Sequence, residues 1–170
     1  MKRILLIICM ALFSNSILAQ NSFKENNATI EAFFEKYRDT KNITTIEIGP
    51  AMVKILAAGM VISGEDDKEA MDLLRSIKSI DIMVENQEGM SHITGEMFEL
   101  AKLCKGFELI SSISQEGEVC RFYFASHDDS DICEFLMLVR QADQRVLMYI
   151  TGGFSVSDIS ALGAMGGNIL

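Results

Sequence analysis

The chain has 170 residues, 49% of them hydrophobic and 23% charged, with a formal net charge of −9 and an isoelectric point near 4.7. That is the composition of a single globular domain with a full core, and it excludes a disordered or fibrous chain. The acidity excludes the basic surface that nucleic acid or an anionic membrane would need, and otherwise serves solubility.

The N-terminus has the layout of an export signal. Lys2-Arg3 is a short basic start, Ile4 to Phe13 is an unbroken apolar run too short to span a bilayer, and Ile17-Leu18-Ala19 ends on a small residue. Cleavage is expected after Ala19. Residues 1–19 are then a signal peptide, and 20–170 form one α+β domain with no transmembrane segment. Losing Lys2 and Arg3 takes the net charge from −9 to −11. Cys9 follows Leu6-Ile7-Ile8 as in a lipoprotein box, but it sits inside the apolar run, too near the start for lipidation. Export places the protein in the periplasm or cell envelope, an oxidising setting.

Three cysteines remain after cleavage, Cys104, Cys120 and Cys133, and no CxxC occurs among them. The register expected below puts Cys120 and Cys133 on opposite sheet faces, which forbids a bridge. Cys104 reaches Cys120 only if its helix packs on the core face. Free thiols acting as small hydrophobes are the ordinary alternative.

Along the chain, Ser22 to Asp39 reads as a helix with Ile30, Phe33, Phe34 and Tyr37 on one stripe. Thr44 to Ile48 is a β-branched strand, closed by Gly49-Pro50. A helix over Ala51 to Met60 is expected to carry Met52, Ile55, Leu56 and Met60 on one side, and a second over Lys68 to Ile77 to bury Met71, Leu74 and Ile77. Ser79 to Glu85 is a strand with Ile80, Ile82 and Val84 on one face. A helix over Ser91 to Lys105 buries Ile93, Met97, Leu100, Ala101 and Cys104, and Gly106 provides its C-terminal glycine.

Four strands then follow between Phe107 and Thr151. Their turns are Gln115-Glu116-Gly117-Glu118, His127 to Asp131, and Gln141 to Gln144. With these turns one face carries Phe107, Leu109, Ile113, Cys120, Phe122, Phe124, Leu136, Leu138, Leu147 and Tyr149. The other carries Ser112, Ser114, Arg121 and Tyr123 at one end and Cys133, Phe135, Met137, Val139, Val146, Met148 and Ile150 at the other. An apolar surface of that size must be covered by something. After Gly152-Gly153, Ser155 to Asp158 resembles a capping box opening a short helix to Leu162. The expected fold is α+β: one mixed sheet of about six strands, ending in an antiparallel four-stranded meander, with helices mainly on one face and the first two strands parallel to each other or to the meander.

The layout resembles an exported Bacteroidota family known as domain of unknown function 4252. The resemblance rests on Phe34-Glu35-Lys36-Tyr37, Ile43 to Ile48 with the helix from Ala51, Ile80-Asp81-Ile82, and Tyr149 to Phe154 with Asp158-Ile159. It implies a cell-envelope protein of unassigned activity and supplies no catalytic or binding residues.

Chemistry-bearing residues are few. Cys120 and His127 lie roughly 23 Å apart along an extended strand, so they form no dyad. Asp128, Asp129 and Asp131 offer oxygens to a hard cation, without the glycine and terminal glutamate of an EF-hand loop; Glu65-Asp66-Asp67 is a weaker second candidate, and both are more often solvated turns. No cofactor is indicated. The candidate binding residues are Phe135, Met137, Val139, Val146, Met148 and Ile150, for a protein partner, self-association or an apolar ligand. The methionines that remain after Met1 and Met10 leave suit such a surface or fill core gaps. The functional reading is a non-catalytic envelope binding module; the alternative is a hydrolase-type enzyme whose acidic site the sequence does not identify.

Overall fold

The fold was analysed in a computed structural model that describes residues 22–63, 68–86, 92–127 and 132–158, with side chains at all of these except 59–63, 68–70 and 92. Helix α1 covers 22–37 and buries Ile30, Phe33, Phe34 and Tyr37, the stripe its helical spacing demands. Strand β1 is Ile43–Ile48, α2 is Pro50–Ser63 and α3 is Lys68–Ser76. Strand β2, Ile77–Asn86, follows α3 directly, and α4, His92–Leu103, buries Ile93, Met97, Leu100 and Ala101. Gly106 has a φ of 77°, the left-handed turn a helix exit favours. Strands β3 (Glu108–Gln115), β4 (Glu118–Ser126), β5 (Cys133–Arg140) and β6 (Gln144–Gly152) complete the sheet.

The six strands form one open sheet in the order β1-β2-β6-β5-β4-β3, and every neighbouring pair is antiparallel. The expected mixed sheet is therefore corrected, and the connections explain why. A single helix returns the chain to the same end of a sheet and gives a parallel strand. Between β1 and β2 the chain makes two helices, α2 and α3, so it returns reversed and the strands pair antiparallel. Helix α4 alone joins β2 to β3, and these two do run the same way, but β6, β5 and β4 lie between them.

Helices cover both faces, which corrects the one-faced arrangement. On the first face, α1 and α4 enclose Met83, Tyr123, Leu136, Leu138, Leu147 and Tyr149. On the second, Val53 of α2, Leu73 of α3 and Phe154 enclose Ile77, Phe135 and Ile150.

Strand β4 is turned over relative to expectation. Ser126 pairs with Cys133, so six residues, 127–132, connect β4 to β5 where a five-residue turn was expected. A shift of one residue exchanges a strand's faces. Phe122 and Phe124 therefore stand with Met137 and Phe135 on the second face, and Tyr123 and Arg121 stand with Leu136 and Leu138 on the first. Cys120 and Cys133 share a face after all. They remain free thiols because six residues separate Cys133 from Val139, the partner of Cys120, roughly 20 Å along the strand. Cys104 is on the first face and cannot reach Cys120.

Helix α2 buries a different side from the one carrying Met52, Ile55 and Leu56. Val53 and Ala57 are buried, whereas Met52, Ile55 and Leu56 are exposed, Ile55 at 62%. After β6, Ser155 and Asp158 form a reciprocal cap: the Ser155 N–H donates to Asp158 Oδ2 at 2.7 Å and the Asp158 N–H to Ser155 Oγ at 3.3 Å. The helix it opens is described only over 156–158; the expected Ile159 and Leu162 contacts lie outside the described residues.

Candidate functional site

Strand pairing sorts the second face into three rows that cross the sheet. The first runs Glu108, Phe124, Phe135, Ile150, Ile80 and Ile48; the second Ser111, Phe122, Met137, Met148, Ile82 and Ile46; the third Ile113, Cys120, Val139, Val146, Val84 and Thr44. Glu108, at the β3 end of the first row, is the one charged side chain among them. The helices and Phe154 cover the first row, where Phe135 and Ile150 are buried. Those two candidate binding residues are core. Met137 and Met148, in the middle row, are half-buried against the same cluster, and Val139 and Val146 are half-buried in the outermost row. Ile46, at one end of the middle row, is 44% exposed, and Ile113, at one end of the third, is 57% exposed.

Asp128, Asp129 and Asp131 lie outside the described residues, as do Glu65, Asp66 and Asp67. Among the described residues no group of three or more His, Cys, Asp or Glu has metal-binding geometry.

Sequence reasoning missed two polar constellations on the first face. In the first, Glu134 is fully buried and accepts the Tyr149 O–H at 2.5 Å and the Asn26 Nδ2–H at 3.0 Å, with His127 Nε2 2.6 Å away. Asn26 also clamps Lys105, donating to its carbonyl at 2.8 Å and accepting its N–H at 2.7 Å. Phe23 packs edge-on against His127. Burial, then the neighbouring Glu134, raises the Tyr149 hydroxyl pKa well above its ordinary value and pushes the Cys104 thiol up to about 12. These groups hold their protons. The cluster is a closed tie between α1, the α4 exit, β5 and β6, and it contains no activated nucleophile.

The second is a cleft of about 270 Å³ between α1 and the β1–β2 edge, lined by Ile30, Glu31, Phe34, Glu35, Arg38, Glu47, Asp81 and Tyr149. Sheet register forces Asp81 directly opposite Glu47, a like-charge cross-strand pair. Arg38 pairs with Glu47 and, at 2.9 Å, with Glu35. Asp81 has no ion pair or hydrogen-bonded side chain among the described residues. Burial first, then Glu47 and Glu31, push its carboxyl up to about 6. Both constellations left a sequence signal: Glu134 alternates with Leu136 and Leu138, and Asp81 with Met83, which puts charge on a core-facing period.

An open antiparallel sheet with helices on both faces, an acidic cleft on one face and an apolar surface on the other defines an α+β protein. The chain belongs to the family described as a domain of unknown function (DUF4252), whose model matches residues 37–162. No curated protein and no solved structure matches it. No described helix is long and apolar enough to cross a membrane.

Proposed function

We propose that this is an exported, non-catalytic protein of the Bacteroidota cell envelope, an interaction module that presents the outer rows of its second sheet face and the bare side of α2 to another envelope protein. One observation carries the reading. From β1 to β4 the three rows are uncharged, yet the described cover buries side chains in the first and reaches only part of the second; Val139 and Val146 stay half-buried, and α2 turns Met52, Ile55 and Leu56 outward. Apolar surface arranged this way characterises protein contacts. The test is capture from envelope extract by the mature chain, beside a Val139→Lys variant with an unchanged circular dichroism spectrum. Loss of a specific polypeptide with the variant supports the reading. Capture of lipid alone, of the same chain alone, or of the same polypeptide by both forms contradicts it.

A second reading, the hydrolase-type enzyme, draws on the Asp81 cleft. A half-buried carboxyl pushed up to about 6 suits a general acid near neutral pH. Of its carboxylate neighbours, Glu47 and Glu35 are tied to Arg38, leaving Glu31 as the second acid. A hydrolytic activity lost in Asp81→Asn, with the fold intact, would favour this reading over the first.

A further inference from the structure

The two sheet edges differ in how they are guarded. β1 is six residues long, carries Glu47 paired to Arg38, and runs into Gly49-Pro50. Charge, shortness and proline are the usual means by which an edge strand avoids pairing with another chain. β3 is the opposite edge. All eight of its residues are exposed, so neither helix layer reaches it. A bulge between Leu109 and Ser111 leaves Ile110 unpaired with β4 and interrupts the first half of the strand. The second half, Ser111 to Gln115, pairs regularly with β4 and contains no charge, lysine or proline.

From this we infer that Ser111–Gln115 is the seam of a two-fold dimer, in which the β3 edges of two copies pair antiparallel and join their sheets. A two-fold perpendicular to the sheet keeps each residue on its own face, so opposed positions must have the same parity. Centring on Ile113 sets Ile113 against Ile113, Ser112 against Ser114 and Ser111 against Gln115. Centring on Ser112 instead sets Ile113 against Ser111, and centring on Ser114 sets it against Gln115. The Ile113 register is thus the one that opposes apolar to apolar. It also runs the third row of the second face, which begins at Ile113, continuously into the other copy. The seam is an edge and stands independently of what covers that face.

The test is sedimentation of the mature chain across a wide concentration range, with Ile113→Lys and an Ile113→Cys, Cys120→Ser pair. Cys120 is replaced because it is the cross-strand neighbour of residue 113 and would compete for a bridge. The expected results are a concentration-dependent dimer, its loss in Ile113→Lys, and a reducible covalent dimer from the cysteine variant that Ile46→Cys in the same background does not form. A monomer at every concentration, an Ile113→Lys protein that still dimerises, or equal crosslinking from position 46 overturns the inference. A dimer broken by Val139→Lys and not by Ile113→Lys overturns it too, by assigning the contact to the face.

Discussion

Gly152 shows how tightly single residues are constrained in this fold. A Cβ there would meet the Ser76 carbonyl oxygen at 2.4 Å and the Ile77 Cα at 2.8 Å, both backbone atoms that cannot turn aside. Gly152→Ala should lower stability by about 1–3 kcal/mol in denaturant unfolding, because β6 must pull away from the α3–β2 junction. At Glu134 the cost is polar. Glu134→Gln keeps the shape but replaces one acceptor with a donor, facing the Tyr149 hydroxyl or the His127 and Asn26 nitrogens, and should cost about 1.5–3 kcal/mol by the same measurement. Asp81 acts in the other direction. Its folded pKa is raised to about 6 from 3.8, so between those values the folded chain holds more protons than the unfolded one. Its contribution is present at low pH and lost as pH rises through about 6. Discounted for solvent screening, charging Asp81 costs on the order of 1–2 kcal/mol. Asp81→Asn should therefore be more stable than wild type at pH 7 and show a flatter stability profile between pH 4 and 6.

At the scale of elements, helices with a clear apolar stripe were legible. Ile30, Phe33, Phe34 and Tyr37 point inward in α1, as do Ile93, Met97, Leu100 and Ala101 in α4, because one side of each is unambiguous. Helix α2 was not. It is apolar almost all round, so periodicity does not choose a side, and packing against β2 selected Val53 and Ala57. Ile55→Lys on the outward side should change stability by no more than about 0.5 kcal/mol, whereas Met52, Ile55 and Leu56 pointing inward would make it severe. The faces of β4 were unreadable for a related reason. Cys120-Arg121-Phe122-Tyr123-Phe124 is amphipathic in either sense, and its orientation depends on whether the polar connection holds five residues or six. The buried charges of the first face went unread because alternation was used to find apolar positions, and Glu134 and Asp81 occupy the same periods.

On the scale of the whole molecule, the two faces do different work. The first is closed by α1 and α4 and buries Glu134 and the Glu85–Arg145 pair, with the Asp81 cleft at one side. The second is uncharged along its three rows from β1 to β4 and buried chiefly along the first of them. In a chain with a net charge of −9, the low charge of this face is the feature on which the proposed binding role rests. The most direct measurement is site-specific photo-crosslinking in cells, with a photoreactive side chain placed in turn at position 139, on the outer row, and at position 36, on the exposed side of α1. The account predicts a discrete adduct with another polypeptide from 139 and none from 36. No adduct from 139, or the same adducts from both positions, would contradict it.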